Sequence, residues 1–387
     1  WIMSMKVVCT LCGGASSANV LQLECPDCAG PLRRVESAKL AGCDFSKFAN
    51  IAGGGVWRYR ELLPLELEAL PITLGEGGTP VVQLHRWGAE HGLPALQAKL
   101  EQLAPTGSFK DRGATLLFSA LAAAGVQEIV EDSSGNAGAA AAAYAARAGM
   151  VAHICVPDSA PAAKVEQIAA YGAKIVRVSG SRQDVTDAAL GIASKEVVYA
   201  SHNLSPYFNE GLKTFAYELF EHYGAKLPDH IIFPIGNGGL LLGTAYGFAD
   251  LSSWGLITRS PILHAAQAAN CAPIVHQFLN GGTSTSSTYC PTIAGGVAVT
   301  NPPRMSEILE VLHSGGGLAL KVGEEDIRRA TETLAQLEGL FIEPTSAVSF
   351  AAATQLYEDG VIRAKDSVLI PVTGSGLKDS LARASSS

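Results

Sequence analysis

The sequence predicts an α/β chain of two lobes built on parallel sheets and preceded by a small cysteine-bearing ribbon. Three observations predict it. From Trp57 to the C-terminus, short apolar runs alternate with amphipathic segments, the pattern of parallel strands wrapped by helices. About eight such strand–helix units are too many for one small sheet, which calls for two lobes with a cleft between them. Four of the eight cysteines fall in the first 28 residues as two pairs.

Composition narrows the class. At 387 residues the chain is long enough for two or three globular domains. Hydrophobic residues make up 48% and charged ones 17%, which excludes a disordered chain and requires large buried cores. A net charge of −8 argues against sequence-independent nucleic-acid binding. The most apolar stretch, Gly138 to Pro157, is largely alanine and carries Arg147 and His153, so no membrane span is expected. Residues 1–5 (Trp-Ile-Met-Ser-Met) place no charge ahead of an apolar core, so no secretion signal is read and a cytoplasmic protein is expected. Residues 1–4 read as either preceding the natural start or an appended remnant.

The first element is the ribbon, residues 5–35. Cys9-x2-Cys12 and Cys25-x2-Cys28 are two knuckles separated by twelve residues, a spacing that suits tetrahedral structural zinc. The alternative is a pair of disulfides, which a reducing compartment disfavours. Cys43, Cys155, Cys271 and Cys290 are scattered singly and read as small buried hydrophobes. Residues 36–56, with Gly53-Gly54-Gly55, read as a linker.

Strands are expected at 128–131, 151–156, 174–178, 197–200, 231–235, 262–266 and 368–372. Helices are expected at 108–124, 136–148, 162–171, 184–194, 209–223, 324–337 and 345–358. The run of alanines at 139–143 marks a close-packing helix face. The expected division is a large lobe from 57–115 and 201–387 and a small lobe from 116–200.

Three segments carry chemistry. In Pro105-Thr-Gly-Ser-Phe-Lys-Asp-Arg-Gly113, Lys110 sits just inside a helix start signalled by Ser108 and Asp111. The helix dipole lowers the pKa of an amine there, which suits a neutral nucleophile or Schiff base. Asp132-Ser-Ser-Gly-Asn-Ala-Gly138 follows a strand and opens a helix with hydroxyls, an amide and free N–H groups, a cradle for a carboxylate. Pro234-Ile-Gly-Asn-Gly-Gly-Leu-Leu-Leu-Gly243 lets backbone amides approach a phosphate. It lacks the third glycine of a dinucleotide fingerprint, where Leu241 stands, and the Lys-Ser/Thr of a P-loop. Together the three supply an amine, a carboxylate cradle and a phosphate cradle.

With those segments in place, the chain resembles the threonine synthase branch of the fold-type II (tryptophan synthase β-like) enzymes that use pyridoxal 5′-phosphate (PLP). The resemblance covers nearly the whole chain. It rests on Trp57-Arg-Tyr-Arg-Glu-Leu-Leu-Pro64, Gly75-Glu-Gly-Gly-Thr-Pro80, Lys99-Leu-Glu101, the Lys110 segment, Ser133-Ser-Gly-Asn136, Glu343-Pro-Thr-Ser-Ala347 and Thr373-Gly-Ser-Gly-Leu-Lys-Asp379. Many members also carry an N-terminal zinc ribbon, which fits Cys9, Cys12, Cys25 and Cys28.

The resemblance implies roles by position. Lys110 would hold the cofactor and move protons on the substrate carbons, and Asn136 would contact the cofactor's 3′-oxygen. Gly236, Asn237, Gly238 and Gly239 would hold its phosphate, and Thr373 would face the pyridine nitrogen. Ser133 and Ser134 would take the substrate carboxylate. A homodimer is implied as well. One departure bears on the substrate. Members acting on O-phosphohomoserine read Asn-Ser-x-Asn-Pro-x-Arg, whereas this chain reads His202-Asn-Leu-Ser-Pro-Tyr-Phe208. Phe208 replaces a bidentate phosphate clamp whose loss costs about 2–5 kcal/mol of binding, and His202 and Asn203 replace its polar neighbours.

The expected activity is therefore elimination or replacement on a small amino acid, O-phosphohomoserine to threonine by default. The alternatives are a threonine/serine dehydratase-like lyase or a cysteate/cysteine synthase-like enzyme. His202 reads as an acid/base, a phosphate contact or an ordinary structural residue. A non-catalytic ligand-binding or interaction protein is the competing class, against which the intact Lys110 argues.

Overall fold

A computed structural model describes residues 4–35, 45–49, 54–66, 68–133, 135–158, 160–281 and 289–379. Cys43 and Ser134 lie outside the described residues. The strands in chain order are β1 (Ser4–Cys9), β2 (Ala15–Asn19), β3 (Leu32–Arg34), β4 (Val81–Gln83), β5 (Leu96–Lys99), β6 (Glu128–Glu131), β7 (Val151–Pro157), β8 (Lys174–Val178), β9 (Val197–Tyr199), β10 (His230–Pro234), β11 (Ile262–Ala268), β12 (Ala319–Val322) and β13 (Val368–Pro371). They form three sheets: an antiparallel ribbon β2-β1-β3, a six-stranded sheet β12-β11-β10-β13-β5-β4 and a four-stranded sheet β8-β7-β6-β9.

All pairings in the four-stranded sheet are parallel. In the six-stranded sheet only β4 runs antiparallel, along the edge on β5. The apolar runs of β10 and β13 are buried on both faces, as central parallel strands must be. Both strand orders jump between non-consecutive elements, so the chain crosses over each sheet through helices. Neither β4 nor β5 is among the expected strands. They are short, and β5 carries Gln97 and Lys99, so no apolar run announces it.

The alanine-rich helix Asn136–Ala148 begins and ends where expected, and Ala137 through Ala145 are all buried. Small side chains let this helix approach its neighbours closely. The helix expected over 209–223 instead forms two pieces, Pro206–Leu212 and Thr214–Tyr223. Proline at the first helical position starts it early, and at the junction the amide of Lys213 bonds to Glu210 O rather than one residue further back. The first piece packs against the helix Lys110–Ala123 at two glycines. A Cβ on Gly113 would lie 2.4 Å from the Phe208 ring, and one on Gly211 would lie 2.1 Å from Arg112 O.

The described part of 36–56 packs against the large lobe. Phe45 and Phe48 are buried in an aromatic cluster, Phe45 stacking edge-on to Tyr217 and Phe220. Among the described residues no helix is long and apolar enough to cross a membrane.

Candidate active site

A cavity of about 260 Å³ opens where the two larger sheets meet, and its walls come from the strand-to-helix turns of both. Lys110 is the first residue of the helix Lys110–Ala123 and lines this cavity. The expected cap is not formed. Phe109 occupies the cap position, Ser108 Oγ is buried without a partner, and Asp111 turns back to accept from Thr106 N at 2.7 Å and Thr106 Oγ1 at 2.5 Å. Burial lowers the Lys110 amine to about 8, against opposition from Glu131 and Glu343. The low pKa predicted from the helix dipole is thus present, with desolvation as its main cause. Two residues on, Arg112 is fully buried and bonds Glu101 at 2.7 Å and Glu218 at 2.7 Å, while Lys99 bonds Glu218 at 2.8 Å. This ionic cluster anchors the start of the helix that presents Lys110.

Opposite stands the turn before the helix Asn136–Ala148. Ser133 and Asn136 line the cavity. Gly138 lies against the carbonyl of Ser133, which a Cβ would meet at 1.7 Å. Asn136 Nδ2 donates to both Glu343 carboxylate oxygens, at 3.1 and 3.0 Å, while its Oδ1 is buried with no partner. Burial raises the Glu343 carboxyl above its ordinary value.

The third wall is Gly236-Asn-Gly-Gly239, between β10 and the helix Gly239–Ser253. Gly238 has φ +77°, and a Cβ there would lie 2.3 Å from Ile308. The backbone amides of residues 236–239 donate to no protein acceptor among the described residues. Four free N–H groups at the start of a fifteen-residue helix suit an anion. Thr373 lines the same cavity, and its Oγ1 lies 2.9 Å from Ser346 Oγ.

The segment 202–208 divides. His202 lines the cavity, its Nδ1 2.6 Å from Glu131 Oε1. Burial, with Lys110 and Arg182 nearby, holds the imidazole well below its ordinary value, and burial beside Asp132 pushes Glu131 well above the carboxylate range. Asn203 and Phe208, expected to face the substrate, do not line the cavity. The Phe208 ring is buried against Gly113, 5.9 Å from the His202 ring and 5.8 Å from Lys110 Nζ, so it backs the wall that His202 faces. Asn203 contributes its carbonyl to Arg304 instead.

Comparison with known proteins now decides the family. Residues 72–374 match the model of the pyridoxal-phosphate dependent enzyme family. The threonine synthase of Methanocaldococcus jannaschii is 36% identical over 84% of this chain and 81% of its own length. That of Methanosarcina acetivorans is 33% identical over 96% and 91%. This chain belongs to the threonine synthase family of PLP-dependent enzymes. Maize serine racemase superposes with a TM-score of 0.65 at 28% identity, covering 77% of this chain and 88% of that one. The fold is thus the two-lobed fold-type II architecture and the protein is a PLP-dependent lyase.

The cavity fits the family's cofactor on its own chemistry: an amine of lowered pKa, an orphaned Asn136 oxygen and four free amides at a helix start. The ribbon fits zinc in the same sense. The four thiols of Cys9, Cys12, Cys25 and Cys28 are free and lie within 4.8 Å of one another, with Cys9–Cys28 at 3.4 Å and Cys12–Cys25 at 3.8 Å. A tetrahedral zinc–thiolate site has sulfur–sulfur edges of about 3.8 Å.

Sequence reasoning missed two wall residues and the partner of a third. Glu131, the end of a strand, meets the wall residue His202 from behind. Arg182, which bonds Asp132 Oδ2 at 2.9 Å, and Lys164, which bonds Asp379 at 2.9 Å, line the cavity. Both stand in first helical turns after strands of the small sheet, the signal that identified Lys110.

Proposed function

We propose that this enzyme catalyses PLP-dependent elimination and replacement on a small amino acid, with O-phosphohomoserine to threonine as the default reaction. The observation that carries the reading is the convergence of Lys110, Ser133, Asn136, the amides of 236–239 and Thr373 on one cavity. PLP, when bound, supplies an electron sink for negative charge at the substrate's α-carbon. In this reading Lys110 holds the cofactor and afterwards moves protons at the substrate carbons, a task an amine near pH 8 performs well. Residues 236–239 bind the cofactor phosphate, Asn136 turns its side-chain N–H from Glu343 to donate to the ring oxygen, and Thr373 offers a neutral hydroxyl at the ring nitrogen. Ser133 with Ser134, the latter outside the described residues, takes the substrate carboxylate. The relatives' printed activity, threonine synthase, supports the default.

A second reading, an unphosphorylated substrate, is favoured by one specific feature. At the motif position of a phosphate clamp stands Phe208, whose ring packs behind His202, and the acid on the cavity wall is Glu343. Besides Lys110, the cations on the cavity wall, Arg182 and Lys164, are already engaged by Asp132 and Asp379.

Assay of the holoenzyme over O-phosphohomoserine, O-phosphoserine, threonine and serine separates the readings. Phosphate release with threonine formation is expected under the default. No turnover of O-phosphohomoserine, with 2-oxobutanoate formed from threonine, moves the activity to a dehydratase.

Zinc in the ribbon belongs to the same proposal: one zinc per chain is expected, lost on Cys9→Ser. Four clustered free thiols fit a reducing compartment, hence the cytoplasm. A homodimer follows the family, and sedimentation tests it.

A further inference from the structure

The ribbon does not hang free of the catalytic lobe; its last strand is fastened to the lobe at every residue. Leu32 O accepts from Arg304 Nη2 at 3.0 Å. The Arg33 guanidinium lies over the Tyr246 ring, 5.5 Å from its centroid. Arg34 bonds Glu210 at 2.9 Å and also donates to Leu62 O. Tyr246 in turn donates to Glu307, which holds Arg304 at 2.8 Å.

Arg304 is the junction. It is 2% exposed, and besides Leu32 it donates to Asn203 O at 3.0 Å and Leu204 O at 2.9 Å. With its amide oxygen turned toward the guanidinium, Asn209 accepts at 3.1 and 3.3 Å as well. One side chain therefore grips the ribbon, the loop immediately after His202 and the helix that carries Phe208. On the ribbon side the path is equally short. Leu32 pairs with Cys9 across β1 and β3, and Cys9 is one of the four clustered thiols. A guanidinium has five donors in a rigid plane and can hold several carbonyls at once; a lysine cannot reproduce that.

We propose that Arg304 is a positioning residue that couples the ribbon to the cavity wall. With the ribbon folded around its metal, Arg304 holds the carbonyls of Asn203 and Leu204 and through them the His202 ring; when the ribbon loosens, that wall loosens. The inference rests on the zinc reading above for its switch, but not for its clamp.

The test uses full-length, PLP-loaded protein and follows amide hydrogen exchange, so it needs no substrate. Removing zinc from the unaltered chain is expected to speed exchange at residues 203–209 at least about tenfold, the scale of losing one charge-assisted hydrogen bond. Arg304→Lys is expected to speed the same segment by a similar factor while leaving residues 5–18 of the ribbon unchanged. Zinc removal from Arg304→Lys should then add nothing further at 203–209, because the link is already cut. The visible absorbance of bound cofactor is expected to stay constant throughout, since Arg304 bonds neither Lys110 nor residues 236–239. Unchanged exchange at 203–209 on zinc removal, or additive effects of removal and substitution, overturns the proposal. If Arg304→Lys fails to fold, zinc removal from the unaltered chain decides alone. Metal analysis of the same sample keeps the two ideas apart: a ribbon without zinc defeats the metal assignment, while Arg304→Lys still decides whether the clamp exists.

Discussion

Two buried polar clusters lie on either side of Lys110, and they are built differently. Beneath it, Arg112, Lys99, Glu101 and Glu218 pair opposite charges at 2.7–2.8 Å, with Thr79 Oγ1 adding 2.6 Å to Glu101. All four charged side chains are satisfied. At the end of β6 and the start of the next helix, Glu131, Asp132 and Asn136 each keep one buried oxygen without a partner. Unsatisfied buried oxygens are costly, so a fold that retains them holds them for something else. The satisfied cluster sets where the lysine stands, and of the unsatisfied one Asn136 lines the cavity that Lys110 also lines.

The comparison is broken most severely at Lys110 itself. Lys110→Ala should abolish the visible absorbance of the holoenzyme and cut turnover by at least about 10³-fold; a coloured, active variant would sink the assignment of the cofactor lysine. On the satisfied side, Arg112→Met leaves Glu101 and Glu218 without their shared cation. A loss of about 3–5 kcal/mol in denaturant unfolding is expected, and a neutral result would show the cluster to be dispensable.

Cofactor uptake by the apoenzyme should report the unsatisfied side. Only the neutral amine condenses with an aldehyde, so the uptake rate should rise about tenfold per pH unit below about 8 and level off above it. Because burial lowers the folded value from 10.5, the unfolded chain binds more protons between about 8 and 10.5. Lys110 therefore makes the apoenzyme more stable as pH rises through that window, and Lys110→Met should flatten the rise.

The smallest effect is expected at Glu131→Gln. Its carboxyl is raised well above 4.5, so the folded state keeps a proton that the unfolded chain releases, and stability from this group falls as pH climbs above 4.5. The amide should remove that slope at a cost within about 1 kcal/mol. A loss as large as that of Arg112→Met would erase the distinction between the two clusters.

Much of the site could be read from local sequence, because strand-to-helix turns write their chemistry in consecutive residues. Lys110, Ser133, Asn136 and Gly236–Gly239 lie on such turns, and the structure brings them to one cavity. The Cys9–Cys28 cluster was legible for the same reason: a CxxC knuckle is a local turn. What escaped were partners that meet across the fold. Glu131 gave no signal as the last residue of a strand, and its neighbour His202 is 71 residues away. Phe208, read from the motif as facing the substrate, is set behind the wall by the packing of two helices at Gly113.

By itself, then, the sequence determined the alternation of strands and helices, the glycine turns and the cysteine knuckles, because each follows from backbone geometry and spacing within a few residues. Tertiary structure alone decided the burial that lowers Lys110, the orphaned oxygens of Glu131, Asp132 and Asn136 and the grip of Arg304 on ribbon and loop. Desolvation and convergent hydrogen bonding depend on which surfaces meet. No periodicity along the chain records that a guanidinium at residue 304 will find carbonyls at 32, 203 and 204.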